Sequence, residues 1–97
     1  MHVCVCKLKL QLPGNSSLKG KRKIVQSLIS RIRKKFNVSI AEVEELDSLQ
    51  NAVLAVSCVS NSNRHTEEVI AKVLSHIEGA RGDALIIDID RETLSGF

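Results

Sequence analysis

The chain opens with a stretch in which apolar and polar side chains alternate. In residues 3–12, VCVCKLKLQL, every second residue is apolar, and the intervening positions pass from two valines to Lys7, Lys9 and Gln11. A period of two is typical of a strand with one buried face. Pro13-Gly14 ends the pattern. We therefore predict a first strand over 3–12, with a core face made of Cys4, Cys6, Leu8, Leu10 and Leu12.

Two later segments show helical periodicity instead. The first begins at Ser16 or Ser17, either of which is a suitable N-cap, and extends to about Phe36. At 100° per residue its apolar stripe consists of Leu18, Val25, Leu28, Ile29, Ile32 and Phe36. The second follows the polar turn SNSNR, residues 60–64, and ends near Glu78, where Gly79 and Gly82 break it. Its predicted inward residues are Val69, Val73, Leu74 and Ile77.

Three further apolar runs predict strands over 37–44, 52–59 and 84–90, and the tail RETLSGF follows the last one. Leu54, Val56 and Cys58 should face the core. The order strand, helix, strand, strand, helix, strand favours an α+β ferredoxin-like two-layer sandwich (βαββαβ), because right-handed crossovers place both helices on one face of a four-stranded antiparallel sheet. We predict a single domain over 1–97.

The two helix starts are expected to meet. We expect the first and third strands to lie centrally and to run parallel, so that both helices begin at the same edge of the sheet. LPGNSSLKGKRK, residues 12–23, would then lie beside SNSNRH, residues 60–65. The same register places Cys58 near Leu10 or Leu12, far from Cys4, and so argues against a zinc site and for small buried thiols.

Composition points to a small domain in a reducing compartment. Hydrophobic residues make up 43% of the 97 residues, and there are two Phe but no Trp or Tyr. No apolar run approaches the roughly 20 residues needed to span a bilayer, and the N-terminus lacks the apolar block of a signal peptide. Three cysteines, an odd number, agree with reduced thiols. We expect a cytoplasmic protein with no membrane contact and no cofactor.

The charge distribution is uneven along the chain. Residues 1–41 carry ten Lys or Arg and no acid, whereas residues 42–97 carry four Lys or Arg and eleven Asp or Glu. Such asymmetry suggests a polyanionic partner. The alternative is that the two halves neutralise each other within the fold.

The segment LPGNSSLKGKRK resembles a phosphate-binding loop but does not meet its requirements. Five residues separate Gly14 from Gly20 where a Walker A loop has four, and Arg22 follows Lys21 where the loop needs Ser or Thr for magnesium. What remains is a pair of helix N-termini surrounded by cations, which could hold a phosphate or carboxylate. The alternative is that these cations are simply solvated.

The first helix adds cations around its polar face without an acid to pair them, which suits a phosphate backbone. The predicted sheet has no aromatic residues on which bases could stack, so RNA would be bound by shape and backbone. The candidate anion-binding or nucleic-acid-binding residues are Lys19, Lys21, Arg22, Lys23, Arg33, Lys34, Arg64 and His65.

The open face of the sheet is a second candidate surface. An exposed apolar patch usually marks an interface, so a homodimer or another partner is expected to cover it. Lys7 and Lys9 should lie near Asp88 and Asp90 across the first and last strands. The candidate interface residues are Val3, Val5, Val53, Ala55 and Val59. No Ser, His and acid are placed as a triad, and no enzyme is predicted.

Several blocks of sequence resemble one known family. LPGNSSLKGKR, FNVSIAEV and AVLAVSCVSN with Arg64-His65 shortly after match the pattern of the YlxP-like family of small uncharacterised bacterial proteins. The resemblance spans nearly the whole chain and implies a ferredoxin-like fold. It also implies a gene neighbourhood with transcription-termination, translation-initiation and ribosome-maturation factors, and hence work on ribosomal RNA. The chain departs from the pattern at Gly20, where the family usually has an acid, and near Leu49, where it has Trp.

Three hypotheses follow. The leading one is a non-enzymatic, ribosome-associated RNA-binding protein that contacts phosphates through its basic first helix. The second is a homodimeric protein-interaction module that uses the sheet face. The third is a sensor that binds a small anionic ligand at the paired helix N-termini.

Overall fold

A computed structural model describes residues 1–79 and 84–96. The elements are β1 (His2–Gln11), α1 (Leu18–Lys35), β2 (Ser39–Glu44), β3 (Asn51–Ser60), α2 (Asn63–Gly79) and β4 (Leu85–Leu94). The four strands form one sheet in the order β2-β3-β1-β4, with every neighbouring pair antiparallel. The predicted ferredoxin-like architecture is confirmed. None of the helices in the described part of the chain has the length and apolarity needed to cross a membrane.

The direction of β3 corrects the expectation that β1 and β3 run parallel. Gln11 lies opposite Asn51 and His2 lies opposite Ser60, so the two strands are antiparallel. The reason is topological: α1 returns the chain so that β2 runs in the direction of β1, and the tight β2–β3 connection then reverses it. The end of β1 therefore meets the start of β3.

The two helix starts consequently lie at opposite ends of the sheet. The loop before α1 follows the end of β1, and its Asn15 side chain donates to the carbonyl of Leu49 at 2.6 Å. The loop before α2 follows Ser60, which lies opposite His2. Nine residue steps separate these two ends of the pairing, which is roughly 30 Å of strand. The predicted shared edge does not exist.

The core lies between the sheet and the helices and contains every residue predicted for the inner face of the first strand. Helix α1 buries Val25, Leu28 and Ile32, whereas Leu18, Ile29 and Phe36 are half-buried. In α2 the buried positions are Thr66, Ile70, Val73, Leu74 and Ile77, and Val69 is half-buried. Ile70 and Thr66 were missing from the prediction, and Thr66 is satisfied because its hydroxyl donates to the carbonyl of Asn63 at 2.8 Å.

Strand ends differ from the sequence prediction mainly at the C-terminus. Strand β4 continues through RETL to Leu94, because residues 91–94 pair with the first half of β1. The predicted opposition of two lysines and two aspartates is confirmed, since Lys7 lies opposite Asp90 and Lys9 opposite Asp88. The described part of α2 reaches Gly79, where a helix break is predicted, whereas Gly82 lies outside the described residues, as does Phe97 of the predicted domain.

The loop before α1 is a helix cap anchored to the β2–β3 turn. Ser17 is the N-cap, and its hydroxyl accepts from the backbone N–H of Gly20 at 3.0 Å. The Asn15 amide donates to the carbonyl of Ser17 as well as to that of Leu49. A Cβ at Gly20 would lie 2.5 Å from Asn15 Oδ1, so the absence of a side chain lets the loop close over the first turn. In the segment that resembles a phosphate cradle, the Gly20 N–H and the Asn15 amide therefore donate to other groups of the protein.

Beneath this cap lies a buried lysine. Lys21 is 1% exposed, and its Nζ donates to the carbonyl of Glu45 and lies 3.1 Å from Glu42 Oε2. The contact with Glu42 is Coulombic rather than a directed hydrogen bond, since Oε2 accepts none from the described residues. Glu45 has a left-handed backbone, with φ at 61°, and its carbonyl also accepts from the N–H of Ser48 at 3.0 Å. We call Lys21, Glu42 and the Glu45 carbonyl the buried clamp; it ties α1 to β2 and the following turn.

The cysteines are buried and free, and their register differs from the prediction. Cys58 lies opposite Cys4 rather than near Leu10 or Leu12. Burial raises the pKa of Cys6, and although Arg91 opposes the rise, Cys4 adds to it. Burial also raises the pKa of Cys58, again with Cys4 as a second cause. Within residues 1–79 and 84–96, no group of three or more His, Cys, Asp or Glu side chains is arranged to hold a metal.

The first prediction concerns these thiols. In the native protein at pH 8, all three should react with iodoacetamide on the order of a hundredfold more slowly than in urea, because burial blocks access and the raised pKa of Cys6 and Cys58 lowers their thiolate fraction. Mass spectrometry over time measures the labelling. The variant Ser30→Cys adds a thiol at an exposed position of α1 and should label at the unfolded rate. Rapid labelling of Cys4, Cys6 or Cys58 in the folded chain would contradict the packing.

The second prediction concerns the buried clamp. Lys21→Met should lower the free energy of unfolding by about 3 kcal/mol, because the Glu42 carboxylate loses its counter-charge while still largely buried. Adding Glu42→Leu should restore most of the loss, since two apolar side chains can replace a buried ion pair. Urea unfolding followed by circular dichroism measures both changes. The control Lys19→Met, at an exposed position two residues away, should stay within about 0.5 kcal/mol of the parent; equal effects at Lys19 and Lys21 would refute the clamp.

Candidate nucleic-acid interface

Helix α1 carries eight Lys or Arg residues and no acid between Leu18 and Lys35. Its geometry divides these cations among different sides of the helix. One of the predicted binding residues, Lys21, lies on the buried side and is neutralised in the clamp. Its assignment to an anion-binding site is therefore wrong.

The solvent side of α1 forms a continuous cationic surface, which we call the α1 ridge. At 100° per residue, its four cations fall within an arc of about 100° together with Gln26 and Ser30. All four are exposed, and Arg22 is exposed beside them. The ridge cations are Lys19, Lys23, Arg33 and Lys34.

The ridge is left unneutralised by the rest of the described chain. Neither the ridge cations nor Arg22 make an ion pair with a carboxylate of residues 1–79 or 84–96. Arg33 is the one that is partly engaged, since its Nη2 donates to the backbone carbonyl of Ile40 at 2.8 Å, and this bond leaves its charge uncompensated. Of the ten cations of residues 1–41, two form ion pairs with carboxylates of the described residues: Lys7 with Glu44 at 3.4 Å, and Lys21 with Glu42.

The remaining two predicted residues lie away from the ridge. Arg64 and His65 are exposed in the first turn of α2, at the opposite end of the sheet from the start of α1. Arg64 Nε lies 3.0 Å from Glu68 Oε1 one helical turn later, so its charge is paired. The backbone N–H of His65 donates to Ser62 Oγ at 3.3 Å. The two helix N-termini therefore do not form one anion site, which removes the geometric basis of the sensor hypothesis.

A second group of basic residues was not included in the predicted site. Arg31 and Lys35 lie one turn apart on the side of α1 that faces α2, and Lys72 and His76 lie one turn apart on α2. Together with Phe36, Ser75 and Gly79 they line a groove of about 760 Å³ between the helices, which we call the interhelical groove. The sequence does contain a signal for this group, because each helix carries two basic residues spaced i, i+4 at the edge of its apolar stripe. In a two-helix layer these edges face each other.

The open face of the sheet is less apolar than predicted. Val3, Val5 and Ala55 are half-buried, and Val59 is 61% exposed, as the interface hypothesis requires. Val53, however, is 4% exposed within the monomer, so it offers little area to a partner. In the register Val53 lies opposite Lys9 on one side and Glu44 on the other, and a long side chain can cover an apolar neighbour with its aliphatic stem.

Comparison with known proteins agrees with this architecture. A designed protein with a ferredoxin fold, LFR1 1, superposes with a TM-score of 0.55 over 99% of this chain and 88% of its own, at 13% sequence identity. That similarity concerns the fold alone. At the level of sequence, the uncharacterized protein YlxP of Bacillus subtilis (strain 168) is 37% identical over 62 residues, which cover 64% of this chain and 67% of the relative.

The family model described as "Protein of unknown function (DUF503)" matches residues 3–91, nearly the entire chain. The blocks of sequence that suggested a YlxP-like protein lie within that range. The chain thus belongs to the DUF503 family of proteins of unknown function, of which the resemblance to YlxP was the first indication.

Proposed function

We propose that this protein is a non-enzymatic RNA-binding protein that contacts the phosphate backbone of structured RNA, such as ribosomal RNA, through the α1 ridge. The observation that carries the proposal is a set of four exposed cations on one side of a helix that contains no acid. Lys and Arg at neighbouring positions on a helix repel one another by a few tenths of a kcal/mol per pair, so the arrangement does not serve helix stability. A polyanion would remove that repulsion and release its own counterions.

The geometry of the ridge suits a backbone rather than bases. Its four cations span residues 19–34, which is about 22 Å of helix and comparable to several phosphate spacings. The polar residues between them, Gln26 and Ser30, are also exposed and add hydrogen-bond donors. The described strands contain no Phe, Tyr or Trp, on which sheet-based RNA modules stack bases, so contact with the phosphate backbone is the mode that fits this chain.

The third prediction tests this proposal through salt dependence. The affinity for a fluorescently labelled RNA hairpin with a 5′-hydroxyl end, measured by anisotropy between 50 and 300 mM KCl, should fall by roughly 0.7 to 0.9 log units per log unit of salt for each phosphate contacted. The double variant Lys19→Gln/Lys23→Gln removes two ridge cations and should reduce that slope by about 1.4 to 1.8.

A matched control separates contact from net charge. Lys7→Gln/Lys9→Gln removes the same charge from the open sheet face, where Asp90 and Asp88 lie opposite, and should leave the slope close to that of the parent. If the two double variants lose affinity equally, long-range attraction and not the ridge is responsible. A flat salt response of the parent would refute backbone binding altogether.

Crosslinking in cells followed by sequencing of the attached RNA tests ribosome association separately. Recovery of protein neighbours alone would contradict that association.

A specific apolar row favours the sheet face as a second candidate, for self-association. Val59 and Leu94 both lie opposite Val3, one on each side, so three apolar side chains adjoin at one end of the open face. Val59 and Leu94 are 61% and 41% exposed. Beyond this row, Asp88, Asp90 and Glu92 flank β1 and limit the apolar area that a partner could bury.

The fourth prediction addresses that candidate. If the apolar row mediates self-association, the parent chain should sediment as a dimer at micromolar concentration, and Val59→Glu should sediment as a monomer because it places a charge within the contact. Analytical ultracentrifugation makes the measurement. Ser57→Glu, two residues earlier on the same face but outside the apolar row, is the control. A monomeric parent, or a Val59→Glu protein that stays dimeric, would exclude this interface.

A further inference from the structure

The interhelical groove contains a set of cations that the RNA-binding proposal does not use. Arg31 and Lys35 line it from α1, and Lys72 lines it from α2. All three are exposed, and none is paired with a carboxylate of the described residues. Lys35 Nζ lies 5.9 Å from the ring centroid of Phe36, a contact that leaves its three N–H donors available.

The polar groups that line this groove favour an anionic ligand. Besides the three cations, the described lining offers the Ser75 hydroxyl and the His76 ring, and it includes no acid. Neither ring nitrogen of His76 is hydrogen-bonded to a described residue; the ring instead meets that of Phe36 edge-on, with centroids 6.0 Å apart. A site that presents donors and positive charge, with one aromatic wall, is matched by a ligand that presents anionic oxygen acceptors beside an apolar ring.

Helix dipoles do not account for the three cations. Both helices end at this groove, and a helix C-terminus carries roughly half a negative charge, which favours a nearby cation. Two such ends amount to about one negative charge, against three full positive charges on Arg31, Lys35 and Lys72. A net positive field remains. The groove on the other flank of α1 differs, because Glu42 lines it beside Arg33 and Lys34.

We propose that the interhelical groove binds the phosphate monoester of a nucleotide. Arg31 and Lys72, which approach from the two helices, contact the phosphate oxygens, and Lys35 adds a third cation. Phe36 and the ring of His76 provide the wall against which the base or sugar lies. The volume of about 760 Å³ is within the range of small-molecule sites. The phosphate can belong to a free nucleotide or to the 5′ end of an RNA, and the inference does not depend on backbone binding by the α1 ridge.

The test uses isothermal titration of the full chain with AMP, with adenosine as the ligand lacking the phosphate. AMP should bind and adenosine should bind at least about tenfold more weakly, since hydrogen bonds to charged groups are each worth about one order of magnitude in affinity. Arg31→Gln/Lys72→Gln should weaken AMP binding by about a hundredfold or abolish it. Lys7→Gln/Lys9→Gln removes the same charge elsewhere and should bind AMP as the parent does.

Two further arms identify the source of the phosphate. If an RNA hairpin with a 5′-phosphate binds more tightly than the same hairpin with a 5′-hydroxyl, and Arg31→Gln/Lys72→Gln removes the difference, the RNA terminus is the ligand. If AMP binds but the two hairpins do not differ, the ligand is a free nucleotide. Both results support the groove, and neither depends on the salt slope that tests the ridge.

The groove proposal is overturned if AMP and adenosine bind equally or not at all, with no preference between the two hairpins. It is also overturned if Arg31→Gln/Lys72→Gln binds AMP like the parent. A measurement without variants protects the test from misfolding: in amide NMR spectra of the parent chain, AMP should shift signals of residues 31–36 and 72–79. Shifts confined to residues 19–30 would place the ligand on the ridge instead.

Discussion

The antiparallel pairing of β1 with β3 determines where the two helices of this protein begin. With Gln11 opposite Asn51 and His2 opposite Ser60, the start of α1 adjoins the β2–β3 turn and the start of α2 adjoins the N-terminus. Because the start of α1 lies beside the β2–β3 turn, Asn15 can donate to the Leu49 carbonyl and Lys21 can reach the carbonyl of Glu45. A parallel pair would have placed the two helix starts together and left this turn without its anchor. The predicted anion site shared by the two helix starts therefore fails because of strand direction.

Periodicity in the sequence was sufficient to predict which residues are buried, but it carries no information about strand direction. The alternation identified four core residues of β1 and Leu12 directly after it, and the apolar stripe of α1 identified Val25, Leu28 and Ile32. The same patterns are equally compatible with either orientation of β3. That orientation follows from counting reversals along the chain: a helical crossover preserves the strand direction and a hairpin inverts it. By that count β3 runs opposite to β1, and the two helix starts are separated.

Helical spacing in the sequence reveals that Lys21 is buried, but it does not reveal what Lys21 contacts. A lysine in a basic helix looks like its neighbours, yet Lys21 is separated from Val25, Leu28 and Ile32 by four, seven and eleven residues, which places it within the buried stripe. The sequence therefore contained the signal that Lys21 is buried. It did not identify the partners of Lys21, because Glu42 and the Glu45 carbonyl lie more than twenty residues away along the chain. The basic residues of the groove were similarly visible as an i, i+4 pair on each helix, and their convergence required the packing of α1 against α2.

The fold keeps the charge asymmetry of the sequence instead of cancelling it. Cations dominate the outer side of α1, whereas the acids of the described second half include Asp88, Asp90 and Glu92 on the open sheet face. Although the net charge is only +3, the helical layer is positive and acids lie on the opposite side of the sheet. A polyanion approaching from solution is attracted to one layer and repelled by the other, so the field orients it before contact. Because the ridge and the interhelical groove adjoin on the same helix, a phosphate chain lying along α1 passes within reach of both, and orientation by the field would deliver it to the two surfaces together.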